Sequence, residues 1–197
     1  MSMDKHMDGY ILAGGKSSRM GTDKGLLKVN NRFLIEFAIE HLRNCVNKIF
    51  LCTNNPEYIQ FGFELVPDRI SEEGPASAIA TALQHATAPK LFVLSCDTPF
   101  ISEVIIQRII SLSEGAEITV PLVNNRLEPL CGVYASSCRD KWKEQFDSGV
   151  RKMQTLIENF NFKALDLESE IKADEMAFLN INTPNDFETA KRQLRWG

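Results

Sequence analysis

Apolar and polar positions along the chain switch repeatedly between two periods. Short runs of apolar or β-branched residues occupy positions 9–13, 48–53, 64–67, 91–95, 117–121, 130–135, 162–166 and 178–181, each with the length of a strand. The run Leu91-Phe92-Val93-Leu94 is apolar on both alternating faces, the pattern of a central parallel strand covered by helices on each side. Helical spacing fills the intervals. Phe33 and Phe37 lie one turn apart, as do Leu34, Ala38 and Leu42, which predicts an amphipathic helix over 33–45. Residues 76–86 are rich in alanine, 102–112 open on the cap-like Ser102, and 141–146 and 151–160 supply two more helices. A last helix starts at Thr183-Pro184. Asp186 follows Thr183 by three residues and proline takes the first helical position, a start resembling a capping box.

Strands alternating with helices predict a three-layer α/β fold with a mostly parallel sheet. The 197 residues suit one domain, 1–197, with residues 1–7 expected to be flexible. Ligands in such sheets bind outside the carboxyl ends of the strands. Three polar loops fall there: 14–24 after the first strand, 68–77 after the third and 96–99 after the fourth.

Charge sharpens this picture. The chain carries a formal −4, yet the segment from Lys16 to Arg32 holds Lys16, Arg19, Lys24, Lys28 and Arg32 against Asp23 alone, a local +4 that leaves −8 elsewhere. A positive loop on an acidic protein suits a polyanionic small molecule such as a triphosphate. Gly14 and Gly15 lack a Cβ, so backbone N–H groups there can approach phosphate oxygens. The loop is not a Walker A motif, since Thr22 follows Gly21 where Lys-Ser or Lys-Thr would stand, and it does not match G-x-G-x-x-G. A solvated turn is the competing reading. The acidic balance argues against nucleic acid as a partner. No apolar run reaches the roughly eighteen residues of a membrane span, and the N-terminus lacks the apolar core of a signal peptide, so a cytoplasmic protein is expected. The five cysteines, odd in number and without a C-x-x-C, read as buried reduced thiols.

Four acidic or amide positions are candidates for chemistry. Asp97 follows the apolar strand and precedes Thr98-Pro99; it is placed either to hold Mg²⁺, or to cap the helix near Ser102 or close a turn through its own backbone. Asp68, followed by Gly74-Pro75, is a ligand contact or an ordinary turn acid. Asn180 and Asn182, two apart on an expected strand, would point the same way toward a polar ligand, or Asn182 and Thr183 are capping residues. His6, His41 and His85 form no Ser/His/Asp or Cys/His pattern, so nucleophilic hydrolysis has no support.

Together, Leu12-Ala13-Gly14-Gly15, Arg19-Met20-Gly21 and Asp23-Lys24 resemble the L-A-G-G-x-S-x-R-M-G-x-D-K signature of nucleotidyltransferases with a GT-A-like, Rossmann-like fold. Val66-Pro67-Asp68, Gly74-Pro75, Cys96-Asp97-Thr98-Pro99-Phe100, the segment 126–134 and Asn180-Ile181-Asn182-Thr183-Pro184 make the chain most similar to the molybdenum cofactor guanylyltransferases, over residues 9–194. The resemblance implies transfer of GMP from GTP to the phosphate of molybdenum-molybdopterin, with release of pyrophosphate. It implies that Leu12, Ala13, Gly14 and Gly15 contact the nucleotide, that Arg19 and Lys24 act on its phosphates, that Asp68 helps recognise guanosine, that Asp97 carries Mg²⁺, and that Asn180 and Asn182 face the pterin acceptor. Molybdenum cofactor insertion proteins or molybdoenzymes are its implied partners. The departures are Ala78, where a glycine is usual, and Ser95, where a proline often stands; the usual asparagine after the second strand falls at Thr53 or Asn54. With Ala78 near the expected base site, a cytidylyltransferase, another nucleotidyltransferase for a phosphorylated acceptor, or a non-catalytic nucleotide-binding protein of this fold are the alternatives.

Overall fold

The computed structural model describes residues 7–14, 23–68, 74–167 and 176–193. The apolar runs become β1 (Met7–Leu12), β4 (Ile49–Cys52), β5 (Glu64–Val66), β6 (Lys90–Ser95), β7 (Ile118–Val123), β9 (Cys131–Ala135) and β10 (Phe162–Asp166). Three two-residue strands, β2 (Lys28–Val29), β3 (Arg32–Phe33) and β8 (Arg126–Leu127), complete the set. The main sheet runs β10-β7-β9-β6-β1-β4-β5, with β8 paired to β7. Its pairs are parallel except where β9 lies antiparallel between β6 and β7, and where β8 folds back on β7. The expectation of a mostly parallel sheet holds, although β6 has a parallel neighbour on one side only.

The reversal has a local cause. Asn124 and Asn125 both take positive φ (49° and 59°), the backbone of a two-residue hairpin turn, and send the chain back along β8. Asn30 and Asn31 (φ 50° and 65°) do the same between β2 and β3. Neither hairpin was expected from the apolar pattern, because strands of two residues leave no period to read.

Helices cover both faces of the sheet. On one side α1 (Leu34–Arg43) and α3 (Glu103–Ser111) bury Ile35, Ile39, Leu42, Ile105 and Ile109 against Ile11, Phe92 and Leu94. On the other, α2 (Pro75–His85), α4 (Arg139–Asp147) and α5 (Met153–Glu158) bury Ile79, Leu83, Trp142, Phe146 and Leu156 against Tyr10, Leu91 and Val93. The alternate residues of β6 thus feed two cores, as their two-faced apolar pattern requires. Trp142, fully buried, donates its indole N–H to the Ala76 carbonyl at 3.1 Å and so joins α4 to the first turn of α2. All five cysteines are buried, and none is paired in a disulfide. Burial pushes the Cys52 thiol up to about 12, so it stays protonated.

Residues 178–181, expected as a strand, are not one. Leu179 N–H closes a turn onto the Met176 carbonyl, and Ile181 N–H bonds the Asp97 carbonyl at 2.9 Å. The segment crosses the strand ends instead of running beside them. Its apolar residues are buried from other directions: Phe178 against the α1/α3 core, Ile181 against Val29, Leu34 and the Ala190 of α6 (Pro184–Gln193). The start of α6 follows the expected box: Thr183 N–H donates to Asp186 Oδ2 at 2.8 Å, and Asp186 N–H to Thr183 Oγ1 at 3.2 Å. Of the N-terminal residues expected to be flexible, Met7 opens β1 and the others lie outside the described residues.

Candidate functional site

The carboxyl ends of β1, β4, β5 and β6 lie side by side, and their backbones are laced together. Cys96 N–H bonds the Leu12 carbonyl at 3.1 Å, Ala13 N–H the Cys52 carbonyl at 2.9 Å, and Thr53 N–H the Val66 carbonyl at 3.1 Å. Leu12 and Ala13 are buried in this lacing, and Gly14 is exposed at its rim. A Cβ on Gly14 would meet nothing nearer than Thr53 Oγ1 at 3.9 Å. Neither packing within the described chain nor a positive φ requires glycine there. Gly15 and Arg19 lie outside the described residues.

Lys24 is brought in by a short 3-10 turn, Lys24–Leu26, whose N-cap Asp23 accepts from Gly25 N–H at 3.2 Å. Its ammonium donates to Asp97 Oδ2 at 2.9 Å and to Asn182 Oδ1 at 2.5 Å. Their side chains are only 21% and 14% exposed, so this pair is shielded from water on most sides. Asp97 Oδ1 accepts from the Ser95 hydroxyl at 2.5 Å, and the Thr98 hydroxyl closes onto the Ser95 carbonyl at 3.1 Å. The capping alternative for Asp97 fails, because Ser102 itself accepts from Ile105 N–H at the start of α3. Three segments distant in sequence thus meet at one ammonium: the glycine-rich loop's end, the end of β6, and the turn before α6.

The other expected residues fall into place unevenly. Asn182 faces Lys24, whereas Asn180 Oδ1 is buried with no hydrogen-bond partner among the described residues. The two are not presented side by side as on a strand. Asp68 sits at the end of β5, three strands from Asp97 and so roughly 14 Å away by strand spacing. Its carboxylate accepts from the Ser77 and Thr81 hydroxyls of α2, both at 2.9 Å, and its carbonyl accepts from Asn54 Nδ2 at 2.9 Å. Asp68 therefore binds the second-strand loop to α2, and Asn54, not Thr53, is the residue reaching across. Gly74 takes φ 82° just before α2, a left-handed backbone that glycine adopts without strain. The Ala78 methyl packs against the α2 core.

Two described cations of the positive segment are engaged elsewhere. Lys28 lies 4.3 Å over the Phe33 ring, and Arg32 pairs with Glu40 and stacks 4.2 Å over Phe37. Both belong to the β2–β3 hairpin and its junction with α1. Among the described cations of that segment, Lys24 is the one joined to Asp97.

Two residues escaped the sequence reading. Ser95, in the sequence only a departure where a proline often stands, supplies a hydroxyl to Asp97; its place two residues before Asp97 on a strand end was the available signal. Glu128 is half-buried, and burial raises its carboxyl above the ordinary carboxylate range; Arg126 opposes this, and the charge of Asp97 adds to it. Its neighbour Leu130 holds Ser95 N–H through its carbonyl at 2.9 Å, which sets Glu128 beside the same strand end.

Known proteins resemble the chain along most of its length. The chain is 34% identical to a Clostridium perfringens protein named "probable molybdenum cofactor guanylyltransferase", over 90% of this chain and 92% of that one. It is 32% identical to the "molybdenum cofactor guanylyltransferase" of Shewanella halifaxensis, over 92% of each. In fold it superposes on the molybdopterin-guanine dinucleotide biosynthesis protein A of Archaeoglobus fulgidus with a TM-score of 0.82 at 23% identity, covering 96% of this chain and 100% of that one. Residues 9–164, which carry most of β1 together with Lys24 and Asp97, match the model of a whole family, and the chain belongs to it: the MobA-like NTP transferase domain family.

Proposed function

We propose that this protein transfers GMP from GTP to the terminal phosphate of molybdenum-molybdopterin, forming the guanine dinucleotide cofactor and pyrophosphate. One observation carries the reading: an ammonium and a carboxylate, Lys24 and Asp97, converge at the carboxyl ends of β1 and β6 beside Asn182. The names of the relatives supply the substrates, and Gly14, which no neighbour in the described chain requires, leaves its backbone open to a ligand.

The chemistry needs few groups. The acceptor is a phosphate, already nucleophilic at neutral pH, so positioning and charge neutralisation do most of the work. His41 on α1 bonds the backbone of Pro99, two residues past Asp97, and His85 pairs with Tyr10 at 3.0 Å; a phosphate acceptor needs neither as a base. Lys24 would turn from Asp97 to the triphosphate and offset its repulsion with the incoming phosphate, and Arg19 would act beside it. Asp97 would hold Mg²⁺. Among the described residues no cluster of three metal-binding side chains forms a ready cage. One oriented carboxylate suits an ion that arrives with phosphates and keeps them as ligands. Bound Mg²⁺ supplies charge stabilisation for the leaving pyrophosphate. The Ser95 hydroxyl fixes which Asp97 oxygen faces the site. Asn182 and Asn180 would meet the pterin side, and Asp68 the guanosine side. We place the reaction in the cytoplasm, with molybdoenzymes or their insertion proteins as recipients; among the described residues no helix is long and apolar enough to cross a membrane.

The test is incorporation of label from α-³²P-GTP into dinucleotide, with molybdenum-molybdopterin as acceptor and CTP as competitor. Selective GMP incorporation is expected, and Asp97→Ala should lower turnover ~100-fold or more. Selective CMP incorporation would move the protein to the cytidylyl relatives. Turnover of folded Asp97→Ala within about tenfold of wild type would remove Asp97 from the mechanism.

A further inference from the structure

Lys24 reaches Asp97 from a turn that is itself held from below, and the residues holding it come from a part of the chain with no assigned role. Asp23, its N-cap, receives three donors on one carboxylate. Tyr58 OH donates to Oδ1 at 2.6 Å, Gly25 N–H to the same oxygen at 3.2 Å, and Asn55 Nδ2 to Oδ2 at 3.2 Å. Tyr58 and Asn55 belong to the 3-10 helix Pro56–Phe61 and its N-cap, directly after β4. Tyr58 is fully buried, and its ring packs 5.8 Å from Phe61.

The fit beneath the turn is close. A Cβ on Gly25 would stand 2.3 Å from Tyr58 Oη and 3.2 Å from Cys96 Sγ. The turn is thus seated between Tyr58 and the residue immediately before Asp97. Asp23 and Lys24 are neighbours in sequence, yet their charges point to different partners. Burial, with Cys96 and the Asp23 carboxylate adding, raises the Tyr58 phenol far above its ordinary range, so the hydroxyl remains a donor at any working pH. A carboxylate satisfied by three fixed donors does not fold back to neutralise the adjacent ammonium.

We propose that Tyr58, assisted by Asn55, is a positioning residue for Lys24: by holding Asp23 it fixes the turn and reserves the lysine's charge for the nucleotide phosphates. Lys24 as the phosphate ligand rests on the function proposed above; the role of Tyr58 does not follow from it. The clasp also ties down residue 23, where the glycine-rich loop ends, as the Ala13–Cys52 bond ties down its beginning.

A double-mutant cycle tests this, with GTP affinity measured by calorimetry in Mg²⁺ and thermal unfolding followed alongside. Tyr58→Phe removes the hydroxyl and keeps the ring. In the wild-type background it should weaken GTP binding about tenfold, the share of one charge-assisted hydrogen bond. In the Lys24→Met background the same change should matter by less than about twofold, because there is no ammonium left to place. A purely structural tyrosine would cost the same factor in both backgrounds, and that result overturns the proposal. So does wild-type affinity in folded Tyr58→Phe. If Tyr58→Phe does not fold, Asn55→Ala takes its place in the cycle with the same two criteria. If Lys24→Met alone binds GTP as the wild type does, the assignment of Lys24 fails, an outcome separate from the other two.

Discussion

Lys24 pairs with the carboxylate that a metal ion at Asp97 would need, and removing the lysine should therefore improve metal binding. The perturbation is Lys24→Met, which keeps an unbranched stem and deletes the charge. At 2.9 Å in the effective dielectric of a partly buried site (ε about 20), the attraction between Lys24 and Asp97 is ~6 kcal/mol before desolvation. Exchange of water for the protein partner reduces such hydrogen-bonded pairs to a net ~1.5–3 kcal/mol. A divalent ion binding at Asp97 must displace that interaction, so its absence should tighten binding by roughly 10–100-fold. Mn²⁺ titration followed by electron paramagnetic resonance, without nucleotide, reads this directly. Lys24→Met should bind Mn²⁺ more tightly than wild type, and adding Asp97→Asn should abolish the gain. With GTP present the advantage should disappear, because the lysine then has phosphates to pair with. Equal or weaker Mn²⁺ binding by Lys24→Met would refute the competition, and a gain that survives Asp97→Asn would place the ion elsewhere.

Gly25→Ala sets a methyl group 2.3 Å from Tyr58 Oη on a tyrosine too buried to swing away, so it should cost ~1–3 kcal/mol. Turnover should fall with it, and a variant with unchanged melting temperature and activity would contradict the packing beneath the turn. Gly132→Ala brings a Cβ to 2.6 Å from the Thr119 carbonyl, where β9 passes β7; backbone cannot yield as a side chain does, and urea unfolding should show a loss of at least ~1–3 kcal/mol. Asp186 carries the pH prediction. Burial pulls its carboxyl up, but donors from Asn182 and Thr183 and the charge of Lys24 outweigh this and hold it below the ordinary value. A depressed folded value stabilises the protein above the unfolded carboxylate range of about 3.9 and loses that contribution as pH falls through the folded value. Wild type should thus melt above Asp186→Asn at neutral pH, and the gap should close below about pH 4.

The fold was legible wherever burial imposes a period on several residues. Leu91 to Leu94 feed two cores, and the chain shows it as an unbroken apolar run. Leu34, Ala38 and Leu42 line the buried face of α1, and their spacing marks them. Residues 178–181 misled for the same reason. Phe178 and Ile181 have the composition of a strand because they are covered, but what covers them is the α1 layer and α6, not neighbouring strands. A hydrophobic pattern reports that a residue is buried and does not report which hydrogen-bond partner its backbone finds. The β2–β3 and β7–β8 hairpins left their only trace in the paired asparagines at 30–31 and 124–125, which carry the positive φ.

At the site, motif residues were readable and their supports were not. Lys24, Asp97 and Asn182 stand in recognisable strings, and the structure joins them through 73 and 158 residues of sequence separation. Their mutual geometry depends on Ser95, Asp23 and Tyr58, whose contributions are single hydroxyls and one carboxylate aimed by the fold. Nothing in local sequence distinguishes the Tyr58 hydroxyl from any other buried tyrosine's; only the meeting of β4's outgoing segment with the Lys24 turn gives it a function. This division has a physical origin. A group that touches substrate must have a particular chemical character, which sequence records. A group that orients it needs only to deliver a donor or acceptor to the right point, and several side chains from several elements can do that. Substitutions at Tyr58 and Ser95 should therefore be rescued by partners that restore the same donor, as Ser95→Thr would for Asp97, while no neighbour can restore the charge of Lys24. Measured turnover of Ser95→Ala against Ser95→Thr separates the two cases: a loss in both would mean that Ser95 matters for its size in the strand end and not for its hydroxyl.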